Sequence, residues 1–290
     1  MIIPTNSVIS ELKSLEHLRI KWIHSALLAL SAGLLQYVYR QILLFESHDS
    51  DTIDFAPEFH ATYIHLIFGF GLFFYYIFVR GLIKARIFFI CALCVLTLGF
   101  LFIHFNIPQF NWIHSMLILF PIVLLATWYK YPLIGFQLRN SIWLKNSTIA
   151  FIWSFGLFAF IFYFMNNMKC TLGTMLLLEC FIVIFVLSTI SDWFDRSEDQ
   201  VHGFKTLAGN FTPNRMNYFL LFCFAVSILP GVYYWFSQGS YGLFIQQLLF
   251  TSLCLLLWHK MKDINHKSAP LIFDLILLIK AILLYVIMVP

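Results

Sequence analysis

Long apolar runs separated by short polar segments repeat along the whole chain. A helix needs about 20 apolar residues to cross a bilayer, and nine runs approach that length. Because the connections are short and no repeat or low-complexity linker divides them, residues 1–290 are predicted to form one polytopic transmembrane domain. The pattern predicts an all-α integral membrane protein with nine transmembrane helices, at 20–45, 61–80, 86–104, 112–129, 147–165, 174–191, 216–236, 243–258 and 270–289.

Lysine and arginine are unevenly divided among the segments that connect these spans. Fifteen of the 18 lie in the N-terminal segment or in the even-numbered loops. Positively charged loops stay in the cytoplasm, so we expect a cytoplasmic N-terminus and a multi-pass protein of the cell inner or plasma membrane. Only 11% of the residues are charged, against about 25% in soluble domains. The net charge of +4 is distributed over loops, which predicts the lipid bilayer and no nucleic acid as a partner.

Carboxylates are concentrated just after the sixth predicted span. Four of the 14 acidic residues fall between Asp192 and Asp199. On a helix, Asp192, Asp195 and Asp199 lie within about 60° of one another, whereas Glu198 points further round. Three carboxylates on one face at a membrane edge suit a divalent cation such as Mg²⁺. Lys205 adds a cation shortly afterwards, so the segment is predicted to clamp a diphosphate.

This segment resembles a known motif. Asp192-x-x-Asp195-x-x-x-Asp199-x-x-x-Gly203-x-Lys205 is similar to the second aspartate motif of the UbiA-type membrane prenyltransferases. In that family the motif also follows the sixth of nine helices on the cytoplasmic side. Further residues resemble the fourth loop, the fifth helix and the end of the second helix of the family: Leu138, Arg139, Leu144, Lys145, Ala150 and Trp153, then Tyr76 and Arg80.

The resemblance implies a UbiA prenyltransferase-like bundle and a reaction. An isoprenyl group would pass from an isoprenyl diphosphate to a small or lipidic acceptor within the membrane, with Mg²⁺ as the cofactor. Asp192, Asp195 and Asp199 would be the catalytic residues and the metal ligands. The predicted contacts to the diphosphate are Lys205, Lys145, Arg139, Arg80 and Tyr76, with Asn140 and Asn146 as further polar partners. The sequence does not identify the acceptor.

The first motif of the family, Asn-x-x-x-Asp-x-x-x-Asp, is missing. No aspartate or glutamate occurs from Phe59 to Leu178, and Arg80, Lys84 and Arg86 stand where the motif is expected. One hypothesis is that these cations replace one Mg²⁺ and bind the diphosphate directly, as arginine can. The alternative is a catalytically degenerate UbiA-like membrane protein that binds a lipid, a polyprenyl ligand or a partner enzyme.

Two other classes of membrane protein fit less well. A transporter would carry polar groups in several spans, whereas the buried ionisable residues here are few. We interpret Glu179 or Asp274 as a structural partner that neutralises Lys280. CDP-alcohol phosphotransferases also cluster aspartates, but their motif requires Asp-Gly and Ala-Arg steps, and this chain has Asp195-Arg196 instead.

Overall fold

The computed structural model describes residues 6–47, 120–122, 124–129, 131–132, 135–164, 170–201, 203, 205–262 and 269–288. Tyr76, Arg80 and the second and third predicted spans lie outside these residues. The chain divides into two compact units, Met1–Leu34 with Phe55–Phe110 and Leu35–Asp54 with Asn111–Pro290. One domain over residues 1–290 stays a prediction.

The described residues of the first unit belong to helix α1 (Asn6–Ser47), whose last residues, from Leu35 onwards, are part of the second unit. The first membrane span is predicted to start at residue 20, and the helix that carries it begins fourteen residues earlier. The earlier residues include Glu11, Leu12 and Lys13, which all favour helix although two of the three are charged. A search for membrane-spanning runs does not find such a helical extension.

The second unit contains five further long helices and a short apolar helix, Phe120–Tyr129. Each long helix packs on the next along the chain, and α6 also packs on α3. Helices α3 to α6 therefore close into a bundle, with α2 packed against α3. No β-strand occurs in the part of the chain that the structure describes. The long helices are α2 (Leu144–Phe164), α3 (Cys170–Val201), α4 (Pro213–Gln238), α5 (Gly242–Met261) and α6 (Ala269–Met288).

Within the described residues, α3, α4 and α5 are long and apolar enough to cross a membrane. Large apolar side chains such as Phe222, Phe236 and Val286 are exposed on the helices of this bundle. Exposed apolar surface of this extent is typical of contact with lipid or a partner. The described helices agree with an all-α membrane protein, whereas the count of nine spans and the side of the N-terminus stay predictions.

Helices α4 and α5 approach each other closely where Pro230 interrupts the hydrogen bonding of α4. The next residue, Gly231, donates its backbone N–H to the Gln247 side-chain oxygen of α5 at 3.0 Å. A Cβ atom on Gly231 would lie 2.8 Å from the Cα of Phe244 and would also collide with Gln247. Only glycine fits this crossing without a shift of one helix.

The Gly231→Ala variant is therefore expected to lower the free energy of unfolding by about 1–3 kcal/mol, the usual cost of overpacking. Thermal unfolding in detergent would measure the loss. Leu229→Ala is the matched control, because Leu229 is exposed on the same helix and its truncation opens no core cavity. Equal midpoints for Gly231→Ala and the wild type would show that the crossing tolerates a methyl group.

An ion pair lies deep in the second unit, between α3 and α6. Lys280 is fully buried and its ammonium contacts Glu179, which is equally buried. Glu179 also accepts a 3.4 Å hydrogen bond from the Tyr39 hydroxyl of α1, and the Lys280 ammonium lies 5.0 Å from the centre of the Phe250 ring. The structure confirms that Lys280 is neutralised, and of the two predicted partners it shows Glu179.

The helix that carries the sixth predicted span extends past residue 191, where the span is predicted to end. Helix α3 continues to Val201 and carries the three aspartates on its last turns. Asp192 and Asp199 are buried there rather than solvated. The helix can continue because a lysine from α2 neutralises these carboxylates, a contact that the local sequence does not reveal.

Candidate functional site

Aromatic side chains hold the end of α3 against α4 and α5. The Trp193 ring is buried and packs edge-on against Trp258 of α5, with ring centres 5.5 Å apart. Trp258 donates its indole N–H to the Asn217 side chain of α4 at 2.7 Å. The Arg196 guanidinium covers the Trp193 ring at 4.4 Å. These contacts anchor the side of α3 that carries Trp193, and so fix the position of the neighbouring aspartates.

Lys145 joins two of the aspartates. Its ammonium lies 2.7 Å from Asp192 Oδ1 and 3.3 Å from Asp199 Oδ2. All three residues are buried, at 6%, 6% and 8% exposure for Lys145, Asp192 and Asp199. Lys145 belongs to the first turn of α2, where the helix dipole also favours negative charge. One ammonium shared by two carboxylates leaves this group with a negative charge to be balanced.

The Asn146 side chain, next to Lys145, is held by a hydroxyl group of α3. The Thr189 hydroxyl donates to the Phe185 carbonyl at 2.8 Å, so its oxygen accepts from the Asn146 Nδ2 at 3.1 Å. This arrangement fixes which end of the amide is the oxygen. The Asn146 amide also lies close enough to Asp192 to stabilise its charge. Among the described residues, Asn146 Oδ1 and Asp192 Oδ2 are buried without a hydrogen-bond partner.

A buried tyrosine, Tyr129, lies at the end of the short apolar helix. The charges of Arg139, Asp192 and Asp199 are near enough to act on its hydroxyl. Arg139 itself is half-buried in the short helical turn Leu138–Asn140 that precedes α2. Sequence reasoning missed Tyr129 and Thr189. Nothing in the spacing of Tyr129 distinguishes it from other aromatic residues at the end of an apolar helix.

The remaining predicted site residues are placed less centrally. Asp195 is half-buried one turn from Asp192 on the same helix and engages in interactions of its own. Lys205 is exposed and forms no ion pair with a described carboxylate. Gly203 has a φ of 72° and lies in a turn after the motif. The structure brings together Asp192, Asp199 and Lys145, with Arg139 nearby.

A magnesium ion fits part of this geometry. Oxygen ligands are those that Mg²⁺ prefers, and two buried oxygens without partners, Asp192 Oδ2 and Asn146 Oδ1, belong to one cluster. In the described part of the chain, however, no three histidine, cysteine or acidic side chains are grouped as metal ligands would be. The set Asp192, Asp195 and Asp199 therefore stays a predicted ligand set.

The fold has known counterparts. Comparison of the sequence with protein-family models and with curated proteins gives no match. Among solved structures, a UbiA homologue from Archaeoglobus fulgidus bound to GPP and Mg²⁺ is similar, with a TM-score of 0.62 and 13% identity, over 92% of this chain and 99% of that one. The same is true of the Cd²⁺-bound form, with a TM-score of 0.62 and 13% identity over the same shares. Another structure of a UbiA homologue from that organism gives a TM-score of 0.58 and 15% identity, over 95% and 99%.

At this level of identity the likeness shows the fold. The chain has a UbiA-type fold, and this confirms the resemblance drawn from the aspartate motif. Together with the apolar helices α3, α4 and α5, it identifies the chain as an integral membrane protein.

Proposed function

Because the chain has a UbiA-type fold, we propose that it is a Mg²⁺-dependent prenyltransferase. It would transfer an isoprenyl group from an isoprenyl diphosphate to a small or lipidic acceptor within the membrane. The observation that carries this proposal is the buried group of Lys145, Asp192 and Asp199 at the end of an apolar helix. The similar archaeal protein is bound to GPP, an isoprenyl diphosphate, and Mg²⁺.

The metal would be held by Asp192, Asp195 and Asp199. Asn146 Oδ1 is a further candidate ligand, because it is buried beside Asp192 without a partner. When bound, Mg²⁺ would neutralise the charge that collects on the departing diphosphate. The buried carboxylates supply the negative charge that makes such binding favourable in a poorly solvated site.

Cationic side chains would hold the diphosphate itself. Lys145 lies beside the carboxylates, and Arg139 is half-buried in the turn before α2, where its guanidinium could bind a phosphate through two hydrogen bonds. Lys205 is exposed and would have to reach the ligand from the loop after α3. Arg80 and Tyr76, outside the described residues, complete the proposed contacts.

The apolar helices would keep water away from the carbocation that the reaction forms. Loss of the diphosphate gives an allylic carbocation, which water would quench. The interior of the second unit is lined by large apolar side chains, among them Phe158, Phe224 and Phe250. Such a lining excludes water, and aromatic faces stabilise a nearby cation.

We further propose nine spans in one domain, a cytoplasmic N-terminus and a location in the inner or plasma membrane, so that the site faces the cytoplasm.

A second candidate function rests on the missing first motif. No acidic residue occurs from Phe59 to Leu178, so one half of the metal-binding apparatus of the family has no counterpart. Under this alternative, the protein binds a lipid, a polyprenyl ligand or a partner enzyme and has lost transfer chemistry. The buried and only partly neutralised carboxylates favour the enzyme, because an unused buried charge costs stability.

Binding of a radiolabelled isoprenyl diphosphate to the purified protein in detergent tests the proposal. The wild type is expected to bind it only with Mg²⁺, and Asp195→Asn to lose most of this binding. Ser197→Ala, at an exposed position of the same helix end, is the matched control and should bind normally. No binding, or binding that neither Mg²⁺ nor the substitution affects, would overturn the proposal and favour the non-enzymatic alternative.

A further inference from the structure

The Lys145 ammonium lies where a bridging cation would be expected, between two carboxylates. It contacts one oxygen of Asp192 at 2.7 Å and one of Asp199 at 3.3 Å. The lysine comes from the start of α2 and the aspartates from the end of α3, 47 and 54 residues later. The Lys145 ammonium is therefore a counter-ion for both carboxylates, and it comes from a neighbouring helix.

Burial makes this counter-ion hard to remove. With all three residues below 10% exposure, a carboxylate left unpaired there would cost several kcal/mol. The same holds for the ammonium, which needs an anionic partner wherever it stays buried. A divalent cation that takes over the carboxylates must therefore displace Lys145, and the displaced ammonium must find another anion.

The cluster also contains oxygen atoms at which a cation could bind before it replaces Lys145. Asp192 binds Lys145 through Oδ1, and its other oxygen, Oδ2, has no hydrogen-bond partner among the described residues. Asn146 Oδ1 is likewise buried and unpartnered, and Thr189 holds the amide in that orientation. Two oxygens are thus available to a cation before Lys145 has moved.

We propose that Lys145 makes divalent-cation binding depend on an anionic ligand of the diphosphate class. Without the anion, the ammonium competes with the cation for Asp192 and Asp199. When the anion arrives, Lys145 exchanges its carboxylate partners for phosphate oxygens, and the cation takes the carboxylates. Cation and anion then strengthen each other's binding by the same factor. The inference rests on the proposed function for the identity of the anion, but the competition between Lys145 and the cation can be tested without it.

The test is a titration of the anion-free protein in detergent with Mn²⁺, followed by the loss of the free-ion electron paramagnetic resonance signal. Wild type is expected to bind Mn²⁺ weakly, and Lys145→Gln to bind it about tenfold more tightly or better, within the usual range of coupling between sites. Lys145→Arg keeps the charge and should resemble wild type. Lys260→Gln removes an equal charge from an exposed position at the end of α5 and should change little.

A second pair of variants guards against a Lys145→Gln protein that does not fold. Asp199→Asn is compared with Asp199→Asn combined with Lys145→Gln, which buries no more than one unpaired carboxylate in the cluster. The double variant should bind Mn²⁺ more tightly than the single one, because Asp192 has lost its ammonium. Equal Mn²⁺ affinities within both pairs would overturn the inference.

The outcome can be separated from that of the proposed function. Unchanged Mn²⁺ affinity together with Mg²⁺-dependent binding of an isoprenyl diphosphate would refute the role of Lys145 and leave the prenyltransferase proposal standing. Tighter Mn²⁺ binding in Lys145→Gln without any isoprenyl diphosphate binding would establish the competition and refute the proposed substrate.

Discussion

Lys280→Met is expected to lower the free energy of unfolding by about 3–5 kcal/mol, the cost of breaking a buried ion pair from one side. The substitution preserves the length and most of the volume of the side chain, so little packing is lost. It leaves the Glu179 carboxylate 1% exposed, with the Tyr39 hydroxyl at 3.4 Å as a neutral donor. One such hydrogen bond cannot replace a full positive charge in an apolar interior.

The loss would be measured by equilibrium unfolding in mixed micelles with increasing SDS. A double variant, Lys280→Met with Glu179→Leu, should recover most of the lost stability, because an apolar pair of similar volume avoids the desolvation of both charges. Val286→Ala, at an exposed position of α6, is the control for a mutation on the same helix. If Lys280→Met unfolds like the wild type, Glu179 must be neutral or reach water, and the structural role of the pair would be wrong.

Helix positions in the second unit could be predicted well where local chemistry marks both ends. The span predicted at 216–236 corresponds to Pro213–Gln238. Thr212 accepts a hydrogen bond from the backbone N–H of Arg215, Pro213 occupies the first turn, and Gly239 ends the helix in the left-handed conformation at a φ of 73°. These signals are carried by residues adjacent to the helix, so a single sequence contains them.

The end of α3 could not be predicted in this way. Four acidic residues from Asp192 to Asp199 are typical of a solvated helix end, and locally they favour termination of the span. What keeps Asp192, Trp193 and Asp199 buried on this helix is a lysine far earlier in the chain and the packing of Trp193 on Trp258. Contacts of this kind depend on the tertiary structure, which hydropathy does not contain.

The candidate site was likewise predictable where local sequence decides and not where tertiary contacts decide. Helical spacing predicted that the aspartates share a face, and Asp192 and Asp199 do meet at one ammonium. The resemblance to the UbiA-type family selected Lys145 from the sequence, but it also selected Lys205, and ahead of Lys145, whereas the structure leaves Lys205 exposed. The role of Asn146 depends on the Thr189 hydroxyl, because that contact decides where the amide oxygen points.

Asp192→Asn is expected to slow consumption of isoprenyl diphosphate by about 10²–10³-fold, the loss typical of removing one electrostatic group from a preorganised site. Asparagine keeps the shape of the side chain but removes the charge. Asp192 makes the shorter contact to Lys145, at 2.7 Å, and carries one of the two buried oxygens without a partner. Its substitution therefore weakens both the proposed Mg²⁺ site and the positioning of the lysine.

Release of inorganic diphosphate would be followed in proteoliposomes made with a lipid extract of the source cells, which supplies the unidentified acceptor. Lys260→Gln is the matched control and should retain the wild-type rate, because Lys260 is exposed on the last turn of α5 and forms no ion pair with a described carboxylate. Since Asp192 and Lys145 are in contact, Asp192→Asn with Lys145→Gln should cost less than the sum of the two single losses. A wild-type rate for Asp192→Asn, in a protein that unfolds at the normal temperature, would remove the buried cluster from the chemistry.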